Sequence, residues 1–141
     1  MTPADHAALT ARADLCELLL EHGVEVVVIG GAAMQAYGLA HVTSDLDLLC
    51  RDRLANLERL GRALVEAGAY ARGRPDVRFL FPDDVAELVV PNAFAFDTRY
   101  GSLDVIKRAP NAWDFTAIRR RAELLTIGDV VIPVAHLDDL I

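Results

Sequence analysis

The sequence predicts a single domain over residues 1–141 of the α/β (α+β) class, a mixed and twisted sheet backed by helices. Three observations carry that expectation. Apolar residues alternate along the chain between helical spacing and short β-branched runs. Glycine, or proline with aspartate, stands at most of the switches. A chain of 141 residues suits one core, burying roughly two-thirds of the unfolded surface with no need of a staple.

The elements follow in order. Thr2 is a good N-cap with Pro3 at the first helical position and Asp5 three residues on. Leu9, Leu15, Leu18 and Leu19 then carry the helix to His22-Gly23. Glu25 to Ile29 is β-branched and almost wholly apolar, a strand buried on both faces. Gly30-Gly31 opens a short helix, Ala32 to Tyr37, closed by Gly38. Ser44 to Cys50 alternates charged and apolar residues, a second strand. Asp52 is expected to cap a helix bearing Leu54, Leu57, Leu60 and Leu64, ended by Gly68. Arg72 to Pro75 reads as a turn, and Val77 to Phe81, Glu87 to Val90, Ala93 to Asp97 and Ser102 to Ile106 as strands. A helix is expected over Trp113 to Leu124, an edge strand over Val130 to Pro133, and the start of a helix at His136.

Composition excludes several classes of function. Hydrophobic residues at 53% and charged residues at 25% are those of a globular chain. The longest apolar runs, such as Val26 to Ile29, are far too short to span a membrane, so no membrane partner is expected. The N-terminus, with Asp5 and no basic stretch before an apolar run, does not read as a signal peptide. Cys16 and Cys50 suit two reduced core thiols in a cytoplasmic protein. A net charge of −7 argues against a protein that coats nucleic acid through a general basic surface. Local basic clusters remain: Lys107, Arg108 and Arg119 to Arg121 in one stretch, and Arg72, Arg74 and Arg78 in another.

Three pieces bear chemistry. Gly30-Gly31 joins a buried strand to a helix, where the backbone can approach a ligand and free N–H groups favour phosphate. Tight packing is the plain structural alternative. Asp45-Leu-Asp47-Leu48 sends both carboxylates to one face of a strand. Like charges so placed repel, and a hard divalent cation with oxygen ligands is the commonest reason for them; a solvated acidic edge is the alternative. Asp104, finally, is a lone carboxylate in the apolar run Leu103 to Ile106, where an unpaired buried charge is costly. If its strand lies beside that of Asp45 and Asp47, three carboxylates face the glycine turn, an arrangement suited to two metal ions and a triphosphate.

Val27 to Gly31, Thr43-Ser-Asp-Leu-Asp47 and Asp97 to Val105, taken as a set, resemble the DNA polymerase β-type nucleotidyltransferase superfamily, most closely its bacterial abortive-infection and toxin–antitoxin branch. The resemblance covers roughly residues 24 to 107. It implies that Asp45, Asp47 and Asp104 bind catalytic Mg²⁺ or Mn²⁺. It further implies that Gly30 and Gly31 hold the β- and γ-phosphates of an NTP, and that Asp104 helps to deprotonate the acceptor hydroxyl. Thr43 and Ser44 belong to the same motif and are expected to serve the nucleotide. His41 stands where members more often have arginine. Many members continue beyond the region of Pro133 to Ile141 with a helix bearing a lysine and an acidic residue; the sequence reads as a minimal core.

The implied activity is transfer of an NMP from an NTP to a hydroxyl, with RNA (the 3′ end of tRNA) as acceptor and an antitoxin protein as partner. The alternatives are a small-molecule acceptor of the aminoglycoside kind, and a weakly active or inactive nucleotide- or partner-binding module. Strand alternation sends Arg108 to the face of Asp104, making it the expected phosphate contact. Arg119 to Arg121 is a solvated helix face or a dock for a polyanion. The histidines lack metal-ligand spacing, and the aromatic residues read as core.

Overall fold

The computed structural model describes residues 2–39, 45–108 and 114–140. Helix α1 (Pro3–Glu21) starts in a capping box. Thr2 Oγ accepts from the Asp5 backbone N–H at 3.1 Å, and the Asp5 carboxylate accepts from the Thr2 N–H at 3.0 Å. Strand β1 (Val26–Ile29) is buried along its whole length, and helix α2 (Gly30–Ala36) begins on the next residue. Strand β2 (Leu46–Cys50), helix α3 (Leu54–Glu66), the two-residue strand β3 (Tyr70–Ala71), helix α4 (Ala86–Val89), strand β4 (Ala93–Thr98) and strand β5 (Gly101–Ile106) follow. Helix α5 (Phe115–Arg121) and the hairpin of β6 (Glu123–Ile127) and β7 (Val130–Val134) come last.

The strands form one seven-stranded mixed sheet in the order β3-β4-β5-β2-β1-β7-β6. Strand β2 runs antiparallel to β1 and parallel to β5, in a register that sets Asp47 opposite Asp104. The two faces differ. Val26, Val28, Leu46, Leu48, Leu103 and Val105 point into the main core, against Leu15 and Leu19 of α1 and Leu57, Leu60 and Leu64 of α3. Val27, Ile29 and Leu49 point the other way, onto Phe115 and Ile118 of α5. By strand alternation Asp47 and Asp104 share that second face.

Six expectations are corrected. Val77 to Phe81 makes only an isolated bridge, Arg78 to Tyr70, while Phe79 is buried edge-on against Phe96 with ring centroids 5.4 Å apart. In place of the strand expected over Glu87 to Val90 stands α4 (Ala86–Val89), because the turn after Pro82 runs on through Leu88 N–H to Val85 and Val90 N–H to Ala86, which buries Leu88. The helix expected to reach Leu124 ends at Arg121, and the segment after it pairs with β7 as the sheet's edge, so β7 is internal. A single 3₁₀ turn, Leu137–Asp139, takes the place of the last helix. Arg53, not Asp52, occupies the N-cap position of α3, with no side-chain cap hydrogen bond, and Asp52 instead pairs with Lys107 at 3.5 Å and Arg108 at 3.3 Å. Among the described residues no helix is long and apolar enough to cross a membrane.

Asn56 ties the sheet to α3. It is fully buried, its Oδ1 accepts from the Glu25 N–H at 2.7 Å, and its Nδ2 donates to the carbonyls of Glu25 (3.1 Å) and Arg51 (2.9 Å). The residue before β1, the one after β2 and the helix are thus held at one point. Asn56→Ala takes the partner from the Glu25 N–H and empties a buried site, while the Glu25 and Arg51 carbonyls keep the Arg51 and Arg53 N–H groups; the expected loss is about 2 kcal/mol, or roughly 8 °C in Tm by thermal melt.

Candidate active site

Strand β1 ends at Ile29, opposite Asp47, and the chain turns at once into α2. Gly30 makes that turn with φ +66°, and a Cβ there would lie 2.4 Å from Asp47 Oδ2. Glycine is therefore required twice, by the left-handed backbone and by the carboxylate pressed against it. The Gly31 backbone N–H donates to Asp47.

Asp47 is the electrostatically loaded group. Burial first, then the charges of Asp104 and Asp45, push its carboxyl above the usual carboxylate range, and a side-chain hydrogen bond with Asp104 acts in the same sense. Asp104 is answered from the far side. Arg72, just beyond β3, donates from Nη1 to Asp104 Oδ1 at 2.9 Å and from Nη2 to Oδ2 at 3.3 Å, and also reaches the Leu103 carbonyl at 3.4 Å. Its Nε lies 3.6 Å from Asp97 Oδ1. Asp97 is itself fixed by the Gly73 N–H (3.0 Å) and the Ser102 hydroxyl (2.8 Å), and these hold its carboxyl below the usual range.

The expected residues divide as follows. Gly30, Gly31, Asp47 and Asp104 come together. Asp45 precedes β2 and acts on the same spot through its charge, felt by both Asp47 and Arg72. Thr43 and Ser44, like His41, lie outside the described residues. Arg108 does not reach the site. Strand β5 stops at Ile106, so alternation no longer governs residue 108, and its guanidinium pairs with Asp52 beyond the opposite end of β2 from Asp45. The cation facing Asp104 is Arg72, which the sequence suggested only as one member of an arginine cluster at a turn. Asp97 and Ser102 are likewise new, carried in by the β4–β5 hairpin.

Two adjacent carboxylates, one resisting ionisation, are hard oxygen donors that suit a divalent cation. Among the described residues no three His, Cys, Asp or Glu side chains already converge as a metal cage. The donor set at the centre is a pair, with Asp45 nearby and Arg72 opposite.

A candidate nucleotidyltransferase from Thermotoga maritima superposes with a TM-score of 0.64 at 14% identity, over 99% of this chain and 83% of that one, so the two share a fold. No protein-family profile matches the chain, and no curated protein matches it.

Two predictions follow the electrostatics. Folding raises the Asp47 pKa, so ionised Asp47 opposes folding above that raised value and not below the ordinary carboxylate value near 4. Asp47→Asn is expected to raise Tm at pH 7 by roughly 2–4 °C, the effect of about 1 kcal/mol, with the gain vanishing as pH falls toward 4. Asp97→Asn has the opposite sign at pH 7 and also fades in acid. Gly30→Ala forces both a positive φ and the Asp47 clash; a loss of at least 1–3 kcal/mol is expected in urea melts.

Proposed function

We propose that this chain is a divalent-metal-dependent nucleotidyltransferase, moving an NMP from an NTP to a hydroxyl on RNA, in particular the 3′ end of tRNA. The reading rests on one observation above all: Asp47 and Asp104 side by side in register, against the Gly30 turn, in a fold shared with a candidate nucleotidyltransferase. Asp45, Asp47 and Asp104 would hold Mg²⁺ or Mn²⁺, which when bound lowers the pKa of an attacking hydroxyl and neutralises charge on the phosphates. Asp104 helps to draw the proton from the acceptor hydroxyl. The hydroxyl oxygen bonds to the α-phosphorus, the bond from that phosphorus to the bridging oxygen breaks, and pyrophosphate leaves. Gly30 and Gly31, lacking side chains, let the backbone approach the β- and γ-phosphates.

RNA as acceptor is supported by basic groups around α5, which packs on the same sheet face as the carboxylates. Arg119 and Arg120 are exposed there, and a cleft of about 360 Å³ beside the helix is lined by Arg51, Arg53, Lys107 and Arg108 against Asp52 and Asp114, a net basic set. A toxin's role, restrained by an antitoxin, is the corresponding biological setting. A second reading has its own support. A cleft of about 650 Å³ beside β4, on the sheet face opposite to Asp104, is lined by Asp76, Asp84 and Glu87 with Arg78, Phe79 and Phe94, a net acidic set. Such a lining suits a cationic small molecule of the aminoglycoside kind.

The test is transfer of label from each α-labelled NTP, with Mg²⁺ or Mn²⁺, to total RNA and to an aminoglycoside panel. Label on tRNA-sized RNA, reduced at least a hundredfold in Asp45→Asn and in Asp47→Asn, is the expected result. Label on the small molecules alone would move the acceptor to the second reading. Label that persists in both variants would overturn the assignment of the site.

A further inference from the structure

Arg72 has no role in the reading above, yet it holds the most committed position in the site. Both oxygens of Asp104 are taken by its guanidinium fork, at 2.9 and 3.3 Å. A fork of this kind matches a carboxylate in both charge and geometry, so a second cation at Asp104 meets the guanidinium's charge and must take over oxygens it already holds. The hydrogen bonds with Asp104 are also the chief reason that the guanidinium holds its proton more tightly than usual.

The mounting of Arg72 is equally specific. Asp97, pinned by the Gly73 N–H and the Ser102 hydroxyl, faces the Nε side of the same guanidinium. Asp97 and Ser102 face one another across the β4–β5 pair, two residues before Asp104 in the case of Ser102. Arg72 therefore has one anchor in the rigid hairpin and one in the metal-ligand set. Its side chain is 42% exposed, so it can leave the second anchor without a core rearrangement.

We propose that Arg72 is a built-in competitor for the metal, a tethered cation that neutralises Asp104 in the metal-free protein and that a divalent ion must displace to load the site. The inference rests on the metal-site reading and adds to it a residue that sets metal affinity. While Arg72 is seated, Asp47 and Asp104 can stand side by side with no metal. Once a metal takes Asp104, Asp97 keeps the guanidinium within the site, where the phosphates of an incoming NTP offer it a new partner.

Mn²⁺ binding measured by calorimetry on the full chain, with no nucleotide present, separates the possibilities. Arg72→Gln is expected to bind Mn²⁺ about tenfold more tightly than wild type, within the range typical of coupled sites. Added Mn²⁺ is also expected to raise its Tm more than it raises that of wild type. Arg72→Lys, which keeps the charge but loses the fork, is expected to fall between the two and serves if Arg72→Gln folds poorly. Equal or weaker Mn²⁺ binding in both arginine variants, with binding still abolished by Asp47→Asn, would overturn the competitor role and leave the metal site standing. No Mn²⁺ binding by any variant would overturn both.

Discussion

Two carboxylates are held side by side because β2 and β5 run parallel in a register that leaves them no other place. Neighbouring strands lie about 5 Å apart, and two unit charges at that distance repel by on the order of 3 kcal/mol at an effective dielectric constant near 20. Much of the surrounding architecture answers that repulsion. The Gly31 N–H points at Asp47, the Gly30 turn closes over it without a Cβ, and Arg72 forks onto Asp104. Asp97 and Ser102 then hold the arginine in its turn.

The sheet can carry this load because its faces do different work. One face packs fully against α1 and α3 with Leu46, Leu48, Leu103 and Val105, and there the strands gain their stability. The other is covered by α5 only around Val27, Ile29 and Leu49, which leaves the carboxylates accessible beside it. Alternation along β2 and β5 converts the period-two pattern of the sequence into that separation. Moving either strand by one residue would bury the charges and expose the leucines.

The basic residues show how far local reasoning reaches. Arg108 is near Asp104 in sequence and far from it in function, because β5 ends two residues earlier and Asp52 waits beyond the end of β2. Arg72 is 32 positions from Asp104 and binds it. The difference lies in β3, two residues long, whose pairing with β4 delivers the following turn to the sheet face that bears Asp97 and Asp104.

Much of the molecule is legible from the chain alone. The fold class, α1 with its capping box, the buried β1, the glycine turn and the β2 and β5 strands all follow from periodicity, β-branching and glycine placement, which are properties of neighbouring residues. The same properties mark Asp45, Asp47 and Asp104 as charges in need of a reason. What residues 77–90 and 122–127 become is not legible there, since helix or strand at those places is settled by which partner is available: α3 for Leu88, β7 for the segment after Arg121. Nor is the partner of Asp104. A register between β2 and β5 and a turn delivered by β3 are contacts across tens of residues, and only the folded sheet brings those groups within the few ångströms over which charges and hydrogen bonds act.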